Sequence, residues 1–571
     1  MSSSISIALA QIDPTVGDVG GNLALIRAER AKAAAAGANV VVFPELALSG
    51  YPPEDLVYRV SFLDAVDRAA HELAADTADG GPAIVVGAPW RGQRTRADGS
   101  NRPLVYNAAL VLDEGRIVAS RFKHHLPNYG VFDEQRVFAS GPHPGPVVVR
   151  GVRLGIMVCE DMWFPDVAET LVESGAEILV VINGSPFELD KYDVRLNHAV
   201  ARVGETILPL IYVNQVCGQD DLVFDGGSFV LNADRSLALQ LPWWRGAFAV
   251  SAWSKVGDDT WACAPQAPAT APDRLDNVYN ALMLGLRDYV TKNRFPGVVL
   301  GLSGGIDSAL CAAVAADALG PDKVHCVMMP SPYTSHESLE DAAACANLLG
   351  ARYDIIDIGP AMDAYRTMLA PLFAGTAADI TEENVQSRAR GLALMAISNK
   401  FGKMVLATGN KSEMSTGYAT LYGDMCGGYA VIKDVYKTMV FALARWRNAR
   451  KPAGALGPDG PVMPERVITK PPTAELKPNQ TDQDTLPPYD VLDAILHGLI
   501  DEELGVAELA ARGHDPATVR RVDRMLRVAE YKRRQAPPGV KITGVAFGRD
   551  HRYPITNGFR EPPDMTRGDS A

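Results

Sequence analysis

Short apolar runs alternate with alanine-rich segments of helical spacing through the first 255 residues. The amino end, residues 1–11, alternates apolar and polar positions at Ile5, Ile7 and Leu9, which predicts a first strand. Four later apolar runs predict further strands: residues 40–43, 83–86, 154–158 and 178–182. Together these elements indicate a mixed α/β domain.

Two adjacent apolar segments, residues 106–112 and 116–122, flank the short sequence Asp113-Glu114-Gly115. A short turn ending in glycine between two strand-like runs is typical of a β-hairpin. We therefore expect an antiparallel pair, so the sheets of this domain should not be purely parallel.

The sequence changes character after residue 255. Residues 264–273 read APQAPATAPD, a Pro/Ala stretch without periodicity that is typical of a semi-rigid linker. We place a first domain at residues 1–255, a linker at residues 256–273 and a second domain at residues 274–571.

The second domain opens with the pattern of a nucleotide-binding α/β unit. Residues 276–293 have helical spacing, residues 297–302 predict a strand, and residues 308–319 predict an apolar, alanine-rich helix. Further along, residues 448–488 are crowded with Pro and Gly and are too polar to form a core alone. We expect a mobile loop or a lid there.

Composition narrows the class of protein. A chain of 571 residues exceeds one hydrophobic core, and 47% hydrophobic with 22% charged residues is ordinary for folded domains. A net charge of −13, without concentrated Lys and Arg, disfavours nucleic acid as a partner. The amino end lacks a signal-peptide pattern, and no run of about eighteen apolar residues could span a bilayer. Seven scattered cysteines form no disulfide framework and no CxxC metal pattern, so we expect a soluble cytoplasmic enzyme without a membrane partner.

Three ionisable residues follow apolar runs, namely Glu45, Lys123 and Cys159. Their chemistry suffices to hydrolyse a carboxamide, since a thiolate attacks the carbonyl, a carboxylate moves protons and an ammonium group stabilises the oxyanion. Taken singly, each has an ordinary explanation. A cysteine at a strand end is most often a small buried hydrophobic residue, and single charges usually lie at the surface.

The surrounding sequence favours the catalytic interpretation. In chain order, the segments that carry these residues resemble the three motifs of the nitrilase, or carbon-nitrogen hydrolase, superfamily: VVFPELALSGYPPED, RFKHHLPNYGVFDE and LGIMVCEDMWFP. The resemblance covers residues 1–255 and implies a four-layer αββα sandwich. It implies Glu45 as general base, Lys123 as the cation that stabilises the oxyanion, and Cys159 as the nucleophile that forms a thioester and releases ammonia.

Two further segments resemble the glutaminase branch of that superfamily. The sequence HLPNYGVFDE implies that Tyr129 lies near the substrate and that Glu134 is a second carboxylate, although Tyr129 could equally be a packing residue. The sequence NGSPFELDKYDVR resembles a glutamine-binding loop. It implies that Ser185 and Lys191 hold the α-amino and carboxylate ends of L-glutamine.

A Ser-Gly-Gly turn connects the strand and helix predicted in VVLGLSGGIDSALCAAVA. Backbone amides and the helix N-terminus favour bound phosphate at such a turn. No GxxxxGK[ST] sequence occurs, so transfer of the γ-phosphoryl group is not indicated. Residues 301–305 also satisfy GxSxG, the nucleophile elbow of α/β-hydrolases, which makes Ser303 a rival nucleophile.

The full sequence SGGIDS resembles the pyrophosphate loop of ATP pyrophosphatases, which adenylate a carboxylate or carbonyl and then admit an amine. Five further segments in order resemble the NAD synthetase family: MPSPYTSHESLEDA, NVQSRARG, ATGNKSEMSTGYATLYGDMCGGYAVIKDVYKT, PPTAELKPNQTDQDTLPPYD and YKRRQAPP. This resemblance covers the second domain. It implies a doubly wound parallel sheet, Rossmann-like, with ligands at its carboxyl edge.

The same resemblance implies ligands for individual residues. ATP contacts are implied for Leu302, Ser303, Gly304, Gly305, Ile306, Asp307, Ser308, Ala309 and Thr408. Contacts with deamido-NAD are implied for Asn384, Arg388, Glu413 and Lys532, with Asp424 and Lys433 as weaker candidates. Asp307 and Glu413 are the implied ligands of Mg²⁺. The sequence has Asn-Val-Gln-Ser-Arg where the family has Asn-Ile-Gln-Ala-Arg, a small change that leaves the assignment intact.

Together the resemblances imply one reaction. The nicotinate carboxylate of deamido-NAD attacks the α-phosphate of ATP, pyrophosphate leaves, and ammonia from L-glutamine displaces AMP. Since ammonia protonates readily in water, we expect a shielded tunnel. Two alternatives stay open: an amidotransferase of this class with a different carboxylate or carbonyl acceptor, and a chain in which one domain only binds or regulates. We expect a homo-oligomer, from a dimer up to an octamer.

Overall fold

The computed structural model describes residues 4–95, 103–256, 260–478 and 480–559. The chain divides into two compact units, Met1–Pro272 and Asp273–Ala571. This division lies at the carboxyl end of the stretch predicted as a linker. Within that stretch, Thr260–Cys263 forms a strand that pairs antiparallel with the strand before it. The first unit therefore extends beyond residue 255, because its sheet gains one more strand.

The first unit is built on two sheets. Its strands in the described part of the chain are β1 Ser4–Gln11, β2 Val40–Val42, β3 Ala83–Thr95, β4 Pro103–Asp113, β5 Arg116–Phe122, β6 Val147–Val149, β7 Val152–Val158, β8 Ile178–Asn183, β9 Leu210–Asn214, β10 Val216–Gln219, β11 Leu222–Asp225, β12 Phe229–Leu231, β13 Leu237–Gln240, β14 Ala247–Val256 and β15 Thr260–Cys263. One sheet has the order β15-β14-β1-β2-β3-β4-β5, and the other has the order β13-β12-β9-β8-β7-β6. β10 and β11 form a separate ribbon. The five predicted strands correspond to β1, β2, β3, β7 and β8, which confirms them.

Helices cover the outer faces of both sheets. The helices of this unit are α1 Val19–Ala35, α2 Val60–Asp76, the short α3 Glu134–Val137, α4 Pro165–Glu173 and α5 Lys191–Thr206. One core packs α1 and α2 on the first sheet, and a second packs α4 and α5 on the other sheet. A third core lies between the sheets, where Leu9 and Val85 share a cluster with Ile156 and Val180. The predicted four-layer αββα sandwich is confirmed.

The predicted hairpin is formed by β4 and β5, which pair antiparallel. Asp113 pairs with Arg116 across the turn, and Glu114 and Gly115 between them have φ angles of 51° and 78°. Positive φ at both central residues is the conformation that matches the twist of two paired strands. The hairpin returns the chain to the edge of the sheet at Lys123, which directly follows β5.

The second unit contains one parallel sheet. Its strands in the described residues are β16 Val298–Gly301, β17 Val324–Met328, β18 Arg352–Ile355, β19 Met404–Ala407 and β20 Tyr429–Ala430. Their order is β18-β17-β16-β19-β20, and every pairing is parallel. The chain moves outward from β16 to β18 and then crosses to β19, so the strand order reverses between β16 and β19. This confirms the doubly wound sheet and places its switch point, where ligands usually bind, beside β16.

The helices of the second unit in the described residues are α6 Arg274–Lys292, α7 Ile306–Leu319, α8 His336–Leu349, α9 Gly359–Leu369, α10 Ile380–Phe401, α11 Lys411–Thr416, α12 Lys437–Ala449, α13 Glu465–Thr469, α14 Tyr489–Ile500, α15 Val506–Ala511, α16 Pro516–Val528 and α17 Glu530–Arg533. α7 is buried along almost its whole length, as its alanine-rich sequence predicts. α14, α15 and α16 contribute to a further core. Among the described residues, none of the helices has the length and apolar character needed to cross a bilayer.

Candidate active sites

The three residues of the predicted amidase triad lie together inside the first unit. Glu45 follows β2, Lys123 follows β5, and Cys159 opens a 3₁₀ turn after β7. Nζ of Lys123 lies 2.8 Å from Oε1 of Glu45, and both side chains are fully buried. Cys159 is also buried, and its thiol interacts electrostatically with both of these charges. The φ angle of Cys159 is 48°, a left-handed conformation that non-glycine residues adopt mostly at constrained sites.

Glu134 is a fourth member of this cluster. Its Oε1 accepts from Nζ of Lys123 at 2.8 Å and from the hydroxyl of Tyr51 at 2.9 Å. Burial and the neighbouring charge of Glu45 raise the pKa of Glu134 to about 7, although Lys123 opposes the shift. We call Glu45, Lys123, Glu134 and Cys159 the amidase cluster. The second carboxylate implied by the sequence is thus in contact with the predicted catalytic lysine.

Two neutral groups fix the orientation of Glu45. Nδ2 of Asn107 donates to Oε1 at 2.6 Å, and the backbone amide of Gly184 donates to Oε2 at 2.6 Å. Asn107 lies in β4 and Gly184 directly follows β8, so both sheets contribute to the site. Neither residue was predicted, because an asparagine within an apolar strand and a glycine after one carry no chemical signal by themselves.

Charge and burial set the protonation of the cluster. Burial raises the pKa of the Cys159 thiol, and the carboxylate of Glu45 raises it further. Burial lowers the pKa of Lys123, but the carboxylates of Glu134 and Glu45 outweigh burial, and the net pKa lies well above its usual value. The thiol therefore carries its proton before substrate binds, whereas the lysine is a fixed cation. Together with Glu45, these groups have the chemistry of a nucleophile, a base and an oxyanion-stabilising charge.

Tyr129 lines a cavity on the surface of this unit. The cavity has a volume of about 650 Å³, and its wall also includes Glu160, which directly follows Cys159. The hydroxyl of Tyr129 donates to Oε1 of Glu160 at 2.9 Å. Burial raises the pKa of Glu160, and it also raises the pKa of Tyr129. The side chain of Tyr129 remains about half exposed, so a small ligand in the cavity can reach it.

Ser185 and Lys191 lie outside the described wall of this cavity. Ser185 is buried, and its Oγ accepts from Nε of Arg195 at 3.0 Å. Arg195 forms a buried ion pair with Asp225, with an N–O distance of 2.7 Å. Lys191 begins α5, and its Nζ lies 3.6 Å from Glu188. The sequence did not predict the pair of Arg195 and Asp225, whose partners are 30 residues apart in the chain.

The Ser-Gly-Gly turn lies between β16 and α7, at the switch point of the parallel sheet. Gly304 has a φ of 83°, and a Cβ atom at this position would lie 2.4 Å from the carbonyl oxygen of Ser338. Only glycine fits there. The hydroxyls of Ser303 and Ser308 lie 3.1 Å apart, and the amide of Gly305 donates to the Ser303 hydroxyl at 3.2 Å. We call residues 303–308 the phosphate loop, because its backbone leads into a helix N-terminus, which favours anions.

A cavity of about 290 Å³ lies over the phosphate loop. Its wall includes the following predicted ATP contacts: Leu302, Ser303, Gly304, Gly305, Ile306, Asp307, Ser308 and Thr408. Ala309 is outside the described wall, since it lies within α7 and its amide donates to the carbonyl oxygen of Gly305. The phosphate loop thus forms one continuous side of a cavity at the carboxyl edge of the sheet.

The geometry argues against Ser303 as a hydrolase nucleophile. Its hydroxyl contacts the Ser308 hydroxyl and the Gly305 amide, and no histidine is found among the described residues of the cavity wall. A serine hydroxyl without an adjacent base is a weak nucleophile. The GxSxG match therefore reflects the spacing of a glycine-rich turn.

Asp307 and Glu413 converge on one lysine in this cavity. Nζ of Lys437 contacts Oδ2 of Asp307 and lies 3.5 Å from Oε1 of Glu413. Nδ2 of Asn410 donates to Oδ1 of Asp307 at 2.8 Å. Burial and the charge of Asp307 raise the pKa of Glu413 to about 8. Two carboxylates that repel each other in a buried site favour a cation, and their oxygen atoms are the ligand type that Mg²⁺ prefers, so the donor set fits this ion.

Three of the four side chains predicted to contact deamido-NAD form hydrogen bonds with one loop, residues 417–424. The fourth, Glu413, is part of the cavity wall. The hydroxyl of Thr420 donates to Oδ1 of Asn384 at 3.1 Å, and Nε of Arg388 donates to the carbonyl oxygen of Leu421 at 3.2 Å. Nζ of Lys532 donates to the carbonyl oxygens of Gly417 and Ala419 at 2.7 and 2.6 Å. These three side chains lie outside the described cavity wall, whereas Asp424 is part of it, and burial raises the pKa of Asp424 to about 6. Lys433 is buried outside the wall.

Residues 470–476, from the segment predicted as a mobile loop or lid, form another side of the cavity. Oε1 of Glu475 accepts from the hydroxyls of Ser335 and Ser338 at 2.7 and 2.8 Å. Nζ of Lys470 donates to the Ser338 hydroxyl at 2.7 Å. These bonds tie the segment to the start of α8, beside the phosphate loop. Its predicted mobility stays a prediction.

Comparisons with known proteins match both units. A family model described as carbon-nitrogen hydrolase matches residues 6–251, and a model described as NAD synthase matches residues 278–536. The two matches confirm the resemblance of the first domain to the carbon-nitrogen hydrolases and of the second domain to the NAD synthetase family. They leave only a short stretch between them, which includes β15.

Relatives match the chain over nearly its full length. The chain is 50% identical to a glutamine-dependent NAD(+) synthetase of Rhodobacter capsulatus over 98% of this chain and 100% of that protein. It is 43% identical to one of Acinetobacter baylyi over 98% and 99% of the two chains. The structure of a glutamine-dependent NAD+ synthetase from Acinetobacter baumannii in complex with ADP has a TM-score of 0.76 at 41% identity, covering 97% of this chain and 99% of that one.

Proposed function

The chain belongs to the family of glutamine-dependent NAD(+) synthetases, and we propose that its amidase cluster and its phosphate loop carry the two halves of that reaction. The first unit would release ammonia from L-glutamine. The second unit would use ATP to convert the carboxylate of deamido-NAD to the carboxamide of NAD. The observation that carries the proposal is the contact of Lys123 with both Glu45 and Glu134 beside the buried thiol of Cys159.

In the amidase half, Glu45 takes the proton of Cys159 as Sγ attacks the carboxamide carbon of glutamine. The ammonium group of Lys123 stabilises the negative charge that develops on the carbonyl oxygen. The carbon–nitrogen bond then breaks, Glu45 returns the proton to the departing nitrogen, and ammonia leaves a thioester on Cys159. Water hydrolyses the thioester, which frees glutamate and restores the thiol.

A buried thiol that keeps its proton until substrate binds suits the proposed reaction. Burial raises the pKa of Cys159, so the free enzyme holds little thiolate and resists adventitious oxidation and alkylation. A carboxylate base beside it supplies activation when an amide occupies the site. Tyr129 and Glu160, at the cavity wall, are the side chains that we assign to contact with glutamine. Ser185, which Arg195 orients by a hydrogen bond, and Lys191, whose charge acts on Glu160, stay assigned to the two ends of glutamine.

In the synthetase half, an oxygen of the nicotinate carboxylate attacks the α-phosphorus of ATP and pyrophosphate leaves. Ammonia then attacks the acyl carbon of the adenylate, AMP leaves, and the amide of NAD forms. The phosphate loop would bind the phosphates through backbone amides at the N-terminus of α7. The residues that would contact deamido-NAD are Asn384, Arg388, Glu413 and Lys532. Three of them also form hydrogen bonds with the loop of residues 417–424, which would place that loop beside the substrate.

Asp307 and Glu413 would hold Mg²⁺, which supplies neutralisation of the pyrophosphate leaving group when it is bound. Lys437 contacts both carboxylates, so a bound ion would share them with this ammonium group. Asn410 keeps one oxygen of Asp307 oriented by its hydrogen bond.

We further propose that ammonia reaches the synthetase unit without mixing with solvent, since its protonated form is not nucleophilic. The test is a reaction with saturating unlabelled glutamine and ¹⁵N-labelled ammonium, at an ammonium concentration too low to support NAD synthesis by itself. Little ¹⁵N in the NAD formed during glutamine-dependent turnover supports shielded transfer. Full equilibration of the label contradicts it.

The cellular setting is part of the proposal. All seven cysteines are free thiols, which suits a reducing cytoplasm. The substrates are small molecules, and nothing in a chain with a net charge of −13 calls for nucleic acid. We also propose a homo-oligomer, which light scattering on the purified protein tests.

The direct test of the proposed function is NAD formation by the wild-type protein from deamido-NAD, ATP and Mg²⁺. Glutamine and ammonium should each serve as nitrogen source, with AMP and pyrophosphate as products. No NAD from either source, with amidation of another carboxylate or carbonyl compound instead, would favour the alternative acceptor.

A further inference from the structure

Outside the amidase cluster, three side chains beside the cavity that Tyr129 lines place potential metal-ligand atoms close together. These are His124, His143 and Asp166. The two Nε2 atoms lie 3.2 Å apart. Oδ2 of Asp166 lies 3.4 Å from Nε2 of His143 and 4.0 Å from Nε2 of His124. The three residues come from separate segments of the chain, and only Asp166 lies in a helix, α4. The grouping is therefore a product of the fold and not of helical spacing.

The hydrogen-bond partners of the two Nδ1 atoms define the tautomers of His124 and His143. Nδ1 of His124 lies 2.7 Å from the carbonyl oxygen of Gly141, which can only accept, so Nδ1 carries the hydrogen. Nδ1 of His143 lies 3.0 Å from Oγ1 of Thr170, whose own hydrogen is donated to the backbone oxygen of Asp166. Nδ1 of His143 is therefore also the donor. In the neutral form of each ring, Nε2 is left with a lone pair, and the two lone-pair atoms lie next to each other.

This pattern is the one that metal-binding histidines show. A ligating imidazole usually donates its second N–H to a carbonyl or similar acceptor, which fixes the ring and its tautomer. His125 performs the matching role for the carboxylate, because its Nε2 lies 2.8 Å from Oδ1 of Asp166. Each of the three ligand residues is thus oriented by a second hydrogen bond.

We propose that His124, His143 and Asp166 bind one divalent transition-metal ion of the zinc class. The centre of the circle through three points 3.2, 3.4 and 4.0 Å apart lies about 2.1 Å from each of them. That radius is the bond length of zinc to histidine nitrogen and carboxylate oxygen. Two nitrogen ligands and one oxygen ligand leave at least one position for water. Mg²⁺ and Ca²⁺ would be poor occupants, because both prefer oxygen ligands.

The location of this site suggests its effect. His124 directly follows Lys123 of the amidase cluster and contributes to the cavity wall that holds Tyr129. The backbone amides of His124 and His125 both donate to Oδ1 of Asp161 at 2.9 Å, and Asp161 lies in the turn that begins with Cys159. An ion at the site would fix the segment after Lys123 to α4. It would therefore stiffen the wall of the cavity that Tyr129 lines.

Zinc titration of the tag-free, full-length protein tests the proposal, with excess Mg²⁺ present to occupy the carboxylate pair of the second unit. Calorimetry should give one tight zinc site in the wild type. His143→Gln should weaken it by at least about 100-fold. Thr170→Val removes the acceptor for Nδ1 of His143, together with the hydroxyl's own hydrogen bond to the backbone oxygen of Asp166, and should weaken it by about 10- to 100-fold. His71→Gln is the matched control, because His71 is an exposed histidine beside Asp67 in α2 and should leave binding unchanged.

Co²⁺ provides a second readout that does not depend on activity. Its absorption spectrum at this site should show visible d–d bands without the near-ultraviolet charge-transfer band of a thiolate ligand, which separates it from an ion held by Cys159. Circular dichroism establishes that His143→Gln and Thr170→Val are folded. The proposal is overturned if the wild type takes up no ion and the histidines instead share a proton, if His143→Gln binds as tightly as the wild type, or if the cobalt spectrum reports sulfur.

Discussion

Oε1 of Glu134 lies 2.8 Å from Nζ of Lys123 in the fully buried interior of the first unit. The same ammonium group donates to Oε1 of Glu45 at the same distance. One cation therefore contacts two carboxylates. Burial, together with the charge of Glu45, raises the pKa of Glu134 to about 7, and Lys123 offsets only part of that shift. Glu45 is also held by Asn107 at Oε1 and by the amide of Gly184 at Oε2, whereas Glu134 orients the lysine.

The first prediction concerns this positioning role. Glu134→Gln keeps the shape of the side chain but weakens the bond that orients Lys123. Glutamine hydrolysis should fall by about 10²-fold, because a misplaced catalytic group costs about that much. Synthesis of NAD from ammonium should be unchanged. Glutamate release and ammonium-dependent NAD formation, measured in parallel, check this, and equal losses in both assays would mean that Glu134 acts on the fold as a whole.

The second prediction concerns pH. The pKa of Glu134 is raised from 4.5 to about 7, so the folded protein binds this proton more tightly than the unfolded chain does. The resulting stability is fully present below the unfolded pKa and is lost as the pH rises through about 7. Glu134→Gln cannot lose a proton. Its free energy of unfolding relative to the wild type should therefore rise by about 2 kcal/mol from about pH 5 to about pH 8.

Chemical denaturation of both proteins at a series of pH values measures this difference. The constant offset between the two proteins reports the lost hydrogen bonds and is not part of the prediction. Parallel pH profiles for wild type and Glu134→Gln would show that this carboxyl does not titrate near neutrality.

The third prediction concerns the phosphate loop. Gly304→Ala would put a Cβ atom 2.4 Å from the carbonyl oxygen of Ser338, at a φ of 83° that L-residues rarely adopt. The loop must shift, so NAD synthesis should fall by about 10²-fold or more with either nitrogen source. Glutamine hydrolysis in the first unit should continue. Gly305→Ala is the matched comparison, since its Cβ would meet only the flexible hydroxyl of Ser303 at 3.3 Å, and it should lose much less activity.

ATP binding to the two glycine variants, measured by calorimetry, separates a distorted loop from an unfolded unit. Weak binding to Gly304→Ala with near-normal binding to Gly305→Ala is the expected pair of results. If both alanine variants bind ATP as the wild type does, this loop does not hold the phosphates.

The fourth prediction concerns Lys437, which contacts both Asp307 and Glu413 and is almost fully buried. Lys437→Met leaves these two carboxylates without their cation, so the second unit should lose roughly 3 kcal/mol of stability in chelator. Added Mg²⁺ should restore part of that loss by binding the same carboxylates. Lys400→Met, at an exposed position in the last turn of α10, should change neither quantity.

Thermal unfolding with chelator or with Mg²⁺ measures both effects for the two lysine variants. A larger shift by Mg²⁺ in Lys437→Met than in Lys400→Met supports the assignment of Asp307 and Glu413 as the ion's ligands. Identical shifts in the two variants would remove that assignment.

Local patterns predicted most of the fold. Apolar runs identified β1, β2, β3, β7 and β8, and the short glycine turn identified the hairpin of β4 and β5. These elements are regular and buried, so their periodicity is strong. β15 was assigned to a linker, because a short strand at the edge of a sheet beside a Pro/Ala stretch has little periodicity of its own.

The sequence identified candidate site residues where a reactive group or a glycine-rich turn directly follows a strand, and the structure brings Glu45, Lys123 and Cys159 together and places the phosphate loop at a cavity. The supporting contacts were not predictable. Asn107, Lys437 and the ion pair of Arg195 with Asp225 depend on which distant segments the fold brings together. A single sequence gives residue types and spacing but not such long-range pairings, so these residues emerge only from the three-dimensional arrangement.

The central claim is that ammonia is made at Cys159 in one unit and used at the phosphate loop in the other. The most direct test compares wild type with Cys159→Ala in NAD formation from deamido-NAD, ATP and Mg²⁺, with glutamine or with ammonium. Cys159→Ala should lose the glutamine-dependent rate by at least about 10³-fold and keep the ammonium-dependent rate, because the nucleophile acts only on glutamine. If Cys159→Ala still makes NAD from glutamine at the wild-type rate, the claim that Cys159 releases the ammonia is wrong.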